Sequence, residues 1–220
     1  MNSRIRRRCA NTSAFSLIEL LVVMALMTAL SIPAYFRIRE GRDTRSMMAA
    51  QDLIAGQLAA ARNHAIVSRK ACRLLVYSDR DDSTPDELKL RCLLVAVANE
   101  DRIWRAVETP VCLPGNIRLV PRTAPPSSHP GGWADAPVSR LPGAVVHDIL
   151  IGDRLQSVSC YPVEFNALGN TTGATLVLSP AVVQPAAGSK VISFNHPGEV
   201  SGIRVSQYGA LTRVPNASAF

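Results

Sequence analysis

The strongest apolar run in the chain is FSLIELLVVMALMTALSIPAYF, residues 15–36, where Glu19 is the single formal charge among 22 residues. A helix needs about 20 predominantly apolar residues to cross a bilayer core, so this run predicts a transmembrane helix. The preceding residues 1–14, MNSRIRRRCANTSA, are basic and polar. Their arginines predict a cytoplasmic N-terminus, with the remainder of the chain on the far side of the membrane. Residues 34–68 then change period. Met47, Ile54, Leu58, Ala61 and Ala65 follow one another at spacings of seven, four, three and four, which makes a single apolar stripe on a continuing helix. Arg37, Arg39, Glu40, Arg42, Asp43 and Arg45 cluster just beyond the apolar run, where a helix would enter water.

From residue 69 onward the pattern predicts strands. ACRLLVYS at 71–78, LKLRCLLVAVA at 88–98 and RIWRAV at 102–107 lead, with the polar turn DRDDSTPDE between the first two. Shorter segments follow: NIRLVP, AVVHDILI, YPVEFNA, ATLVLS, KVISF and IRVSQ, separated by Gly and Pro. Residues 123–143, TAPPSSHPGGWADAPVSRLPG, form a long Pro/Gly/Ser-rich loop. Trp133 within it is expected to fold back onto the domain rather than to serve as a contact residue. Aromatic residues make up 5% of the chain and there are 15 prolines, which suits short strands and irregular loops.

Charge changes the picture through its placement. The formal net charge is +7, but Arg4, Arg6, Arg7 and Arg8 all precede the apolar run. Without residues 1–14 it falls to +3, so the basic balance speaks for membrane topology and not for nucleic acid. Of the five cysteines, Cys9 is in this leader. Cys72, Cys92, Cys112 and Cys160 remain as candidates for one or two disulfides if the domain is exported, with the connectivity open. The alternative is that they are small buried hydrophobes.

Three readings of the N-terminus compete. A cleaved secretory signal would have a shorter apolar core and end at a small-x-small site. A plain signal anchor, carrying a periplasmic domain, explains the length but leaves Glu19 unexplained, and a carboxylate in such a run marks a function or a partner. The third reading rests on Ala14-Phe15-Ser16-Leu17-Ile18-Glu19 behind a basic leader. This layout resembles that of type IV pilins and type II secretion pseudopilins, in which the leader usually ends in Gly and Glu is the fifth mature residue; Ala14 departs from that Gly but keeps a small side chain. The resemblance implies cleavage between Ala14 and Phe15 by a prepilin peptidase and N-methylation of Phe15. It implies that Glu19 compensates the terminal amine of a neighbouring subunit, and that Pro33 bends the helix. Partners would be other pilins or pseudopilins, reached through the N-terminal helix, and the inner membrane.

Leu58-Ala59-Ala60-Ala61-Arg62-Asn63-His64-Ala65-Ile66 resembles a helix end of the general secretion pathway protein H and FimT group. Val163-Glu164-Phe165-Asn166-Ala167-Leu168-Gly169 resembles its strand-turn element, and Tyr208-Gly209-Ala210-Leu211 its final hairpin. The expected fold is α+β and pilin-like: a long N-terminal helix, membrane-spanning in its first half, packed on an antiparallel β-rich domain. The expected divisions are 1–14 leader, 15–36 transmembrane and assembly helix, 37–68 periplasmic half of the helix, and 69–220 globular domain. The implied function is that of a minor pilin or pseudopilin.

No catalytic motif is present: there is no G-x-S-x-G, H-E-x-x-H or phosphate-binding P-loop, and no enzyme activity or cofactor is expected. His64, His129, His147 and His196 lack metal-ligand spacing. Asp79, Asp81, Asp82, Asp86 and Glu87 raise calcium, but Thr84 stands where an EF-hand loop needs Gly and Leu90 where it needs Glu. A solvated hairpin turn is the reading we prefer, and no metal is expected. Some FimT-type minor pilins act in DNA uptake, which makes DNA binding the alternative function. Arg204 and Arg213 near the C-terminus are too few to argue for it.

Overall fold

The computed structural model describes residues 17–80, 84–99, 103–123, 125, 133, 136–186 and 189–220, with the side chains of 31–43, 186 and 189 outside the description. It divides at Arg42/Asp43 into two compact units. The expected leader and cleavage position, with Ala14 and Phe15, lie outside the described residues.

One helix, α1 (Leu17–Ser68), runs through both units. Position 33 lies inside it, and the bend expected at Pro33 falls among residues whose side chains are not described. In the second unit the stripe does what its spacing predicts. Ile54, Leu58, Ala61 and Ala65 are fully buried, Ala50 joins them, and Met47 packs at the margin. Small residues at 50, 61 and 65 let the helix backbone approach the sheet closely. Gln51 is a buried polar residue in the same stripe, and its amide is satisfied: Nε2 donates to Gly202 O at 3.0 Å and Val214 O at 2.9 Å. The helix ends where Arg69 takes a left-handed conformation, φ 55°.

Eleven strands follow among the described residues: β1 (Cys72–Tyr77), β2 (Cys92–Ala98), β3 (Trp104–Ala106), β4 (Val111–Cys112), β5 (Ile117–Leu119), β6 (Val145–Ile151), β7 (Arg154–Phe165), β8 (Ala174–Ala186), β9 (Ser189–Phe194), β10 (Ser201–Val205) and β11 (Leu211–Val214). Five of them close a ring: β1 pairs with β2, β2 with β3, β3 with β6, β6 with β7, and β7 with β1. Alternate residues of these strands fill its inside, with Leu75, Tyr77, Leu94, Ile149, Val158 and Cys160 in one cluster. The residues between them, such as Leu74, Val76, Leu93, Val95, Val163 and Phe165, face the core shared with α1. Strands buried on both faces read as continuous apolar runs rather than alternating ones, which is why CRLLVY and CLLVAVA look as they do.

The second sheet has the order β11-β10-β8-β5, with β9 paired to the far half of β8. Trp133 folds back as expected. It is buried, its ring lies edge-on to Phe194 at 5.4 Å, and Nε1 donates to Pro137 O at 3.2 Å.

Two expectations are corrected, and the cysteines divide between the two readings that the sequence left open. The strands are not all antiparallel, because β3 and β6 pair in parallel; the long connection from residue 107 to 144 supplies the length that a parallel pairing needs. The 88–98 segment becomes extended only at Cys92. Leu88–Arg91 form a turn, with Leu90 at φ 55° and its N–H donating to Tyr77 O. Of the four candidate cysteines, Cys92 and Cys112 form a disulfide between β2 and β4, whereas Cys72 and Cys160 are buried thiols. Burial pushes the Cys72 thiol up to about 12, so it behaves as a packed hydrophobe.

Candidate functional site

The candidate assembly segment is the start of α1. Residues 17–30, LIELLVVMALMTAL, are apolar on every side, and their large side chains are exposed: Leu17 at 82%, Val23 at 44% and Leu30 at 70% mark the range. A helix that is apolar all round belongs inside a protein core or a membrane. Its one hydroxyl is satisfied within the helix, since Thr28 Oγ1 donates toward Met24 O at 3.0 Å and Ala25 O at 2.9 Å. Glu19 lies in the first turn, where a carboxylate complements the helix dipole. Among the described residues no helix is long and apolar enough to cross a membrane. The predicted span 15–36 extends at both ends past the side chains that are described.

At the other end of α1 the structure brings together three segments that the sequence singled out separately. Arg62 Nε donates to Gly169 O at 3.2 Å. Gly169 (φ +76°) and Gly209 (φ +75°) both need the left-handed region, and they sit against each other. A Cβ on Gly209 would lie 2.5 Å from Gly169 O and 2.7 Å from Arg62 Nε; one on Gly169 would lie 2.8 Å from Ile66 Cδ1. The first turn is tied by Asn166, whose Oδ1 accepts from the N–H groups of Leu168 (2.9 Å) and Asn170 (3.0 Å). The second is tied by Ser206, which bonds Ala210 through both backbone and side chain.

A cluster that sequence reasoning missed sits on the ring. Arg73 lies 4.0 Å over the Trp104 ring, donates through Nε to Glu164 Oε2 at 2.6 Å, and meets His147 Nδ1 at 3.4 Å. Since arginine only donates, Nδ1 is the acceptor and the ring proton is on Nε2. His147 is buried, and its Nε2 has no partner among the described residues. Burial, and then the Arg73 charge, push its pKa down. Only long-range pairing unites residues 73, 104, 147 and 164, and no local motif could have announced it.

The acidic turn gathers no cation site from its described residues. Asp79 accepts from Tyr161 Oη at 2.8 Å. Asp86 takes Lys89 Nζ at 3.0 Å and Lys190 Nζ at 3.8 Å, and the Lys89 hydrogen bond holds its carboxyl below the usual range. Arg213 pairs with Asp52 at 2.7 Å, and Arg204 donates to Phe220 O at 3.0 Å, so both arginines raised for DNA binding are engaged by the domain itself.

The prokaryotic N-terminal methylation motif matches residues 9–35. No curated protein matches the chain in sequence. In structure the chain is similar to the type IV minor pilin FimU of Pseudomonas aeruginosa, with 12% identity, 78% of this chain and 90% of that chain covered, and a TM-score of 0.44. It is also similar to the minor pseudopilin EpsH from the type 2 secretion system of Vibrio cholerae. In one EpsH structure the identity is 12% over 77% of this chain and 97% of that chain, with a TM-score of 0.44; in another it is 14% over 79% and 96%, with a TM-score of 0.45. The chain thus carries the prokaryotic N-terminal methylation motif over residues 9–35, overlapping the start of a long helix that leads into a β-rich domain.

Proposed function

We propose that the chain is a minor pilin or pseudopilin of the protein H/FimT type, cut between Ala14 and Phe15, N-methylated on Phe15, and built into a pilus or pseudopilus through its N-terminal helix. The observation that carries this reading is the methylation motif at 9–35, which covers the end of the leader, the Ala14–Phe15 junction, Glu19 and most of the apolar run. Residues 15–36 span the inner membrane before assembly, with the domain in the periplasm. A helix apolar on all sides can leave lipid only if neighbouring helices cover it, so like subunits are required partners. Glu19 then meets the amine of a neighbour's Phe15 at low dielectric, where removing either charge strands the other. Pro33 lacks a backbone donor and is the point at which the helix bends. The protein H/FimT assignment is supported by the meeting of Arg62, Gly169 and Gly209, which come from the three segments that resemble that group.

The test is mass spectrometry of the full chain co-expressed with a prepilin peptidase. The expected mature N-terminus is N-methyl-Phe15, and Ala14→Gly should speed its appearance. Glu19→Gln should leave cleavage intact while abolishing incorporation into filaments. A mature chain starting elsewhere, or normal incorporation of E19Q, removes the reading.

A further inference from the structure

Cys92 has two possible partners at equal distance along the chain. Its native bond to Cys112 spans 20 residues, and Cys72 lies 20 residues away on the other side. Loop-closure cost depends on length, so an unfolded chain closes either bond with equal ease. Every other pairing among Cys72, Cys92, Cys112 and Cys160 spans 40 residues or more, and by the same scaling is roughly threefold rarer or worse. Synthesis from the N-terminus then favours the wrong bond, because Cys72 is already out when Cys92 emerges and Cys112 is still to come. The fold forbids that bond. In the β1–β2 pairing Cys72 is opposite Val97, and Cys92 lies one step beyond the Val76–Leu93 pair. Five positions along the strands separate them, roughly 17 Å, whereas a disulfide needs Cα atoms within about 7 Å. They also face opposite ways, Cys72 into the core shared with α1 and Cys92 into the ring.

We propose that Cys72 is a transient disulfide partner of Cys92, and that the chain is a substrate for thiol–disulfide isomerisation while its domain folds. The first bond is made by an external disulfide, which is reduced to two thiols as Cys72 and Cys92 are oxidised. The Cys112 thiolate then attacks Cys92 Sγ. The 92–112 bond forms, the 72–92 bond breaks, and Cys72 leaves as a thiolate that takes a proton from water. This step consumes no further oxidant. Folding makes it one-way: Cys72 ends fully buried, where its thiol is pushed up to about 12 and holds almost no thiolate for a return attack. Uncatalysed rearrangement takes minutes to hours, so an isomerase is the class of catalyst that the domain calls for. Only the compartment of the exchange rests on the proposed periplasmic placement of the domain; the exchange itself needs neither processing nor assembly.

The experiment refolds the full chain, carrying Cys9→Ser to remove the leader thiol, from the reduced and denatured state in detergent. Oxidised glutathione serves as the external disulfide, samples are alkylated at intervals, and their disulfides are mapped by peptide mass spectrometry. The 72–92 bond should form early, in an amount within about threefold of 92–112, and then decay as 92–112 rises. A catalytic amount of protein disulfide isomerase should speed that decay roughly tenfold. Cys72→Ala should abolish both the early species and the response to isomerase while giving the same final bond, and Cys160→Ala should change neither. Cys72→Val refills the core position and carries the same expectation if the alanine variant folds poorly. A 72–92 bond that stays below roughly a tenth of the early disulfides, or a response to isomerase that survives the loss of Cys72, would overturn the proposal.

Discussion

Replacing Gly209 by alanine tests the junction at the end of α1, because two costs fall on one added methyl group. Gly209 is at φ +75°, where an L-residue is worse off by roughly 1–2 kcal/mol. The new Cβ would also lie 2.5 Å from Gly169 O, a backbone atom fixed by its own turn, and 2.7 Å from Arg62 Nε. Arg62 can swing away only by giving up its bond to Gly169 O, worth about 1 kcal/mol. Relieving the carbonyl contact requires the two turns to move apart, an overpacking cost of about 1–3 kcal/mol. The total is roughly 3–6 kcal/mol. Gly152→Ala provides the control: Gly152 is also left-handed, at φ +61°, but nothing lies within 4 Å of its added Cβ, so it should lose only about 1–2 kcal/mol. Both variants should be compared as full chains in the same detergent, by chemical unfolding followed through tryptophan emission. If G209A and G152A lose stability equally, the packing argument fails, and with it the claim that Arg62 joins the two turns.

Gln51→Leu keeps the volume but leaves Gly202 O and Val214 O without their buried donor, which should cost about 1–3 kcal/mol in the same unfolding measurement; no loss would mean that these carbonyls find another partner. Cys92→Ser combined with Cys112→Ser opens a bond between residues 20 apart in sequence, and should lower stability by about 2–4 kcal/mol under oxidising conditions but make no difference under reducing ones. Thiol labelling of the unfolded oxidised chain should not modify either residue. His147 has a folded pKa below its ordinary 6.5, so the unfolded chain takes up the proton first as pH falls. Its contribution is complete above about pH 6.5 and is lost as pH drops below that value toward the folded pKa. A plot of stability against pH should therefore slope upward there, and His147→Leu should flatten it.

Much of the fold was legible because it depends on period. The stripe through Ile54, Leu58, Ala61 and Ala65 fixes which face of α1 is buried, and most strands fall where apolar runs met Gly and Pro. What was hidden depends on pairing at a distance. The candidate ATLVLS stops at residue 179, yet β8 runs on to Ala186, with Pro180 opposite the end of short β5 and Pro185 on a hairpin arm bonded to β9. Residues 154–160, RLQSVSC, lack an apolar run; they are strand because β6 pairs with them along its whole length. The disulfide could not be chosen from four cysteines until β4 was laid beside β2. At the candidate site, the N-terminal motif was readable as local spacing. The meeting of Arg62 with two glycine turns was readable only as three separate likenesses, and the Arg73 cluster not at all.

The ring of five strands carries a consequence for the order in which the domain can be made. β1 and β2 can pair as soon as both exist, but each has two apolar faces to cover. The strand that closes the ring, β7, pairs Glu164 with Arg73 across 91 residues of sequence. Until that stretch has emerged, the early hairpin has an open edge and uncovered apolar surface, the state in which chains mispair. Closure at such sequence distance is also slow by topology. The domain should therefore be most vulnerable late in its own synthesis, and a holding factor that shields β1 and β2 until β7 arrives would raise its yield more than any stabilisation of the finished fold.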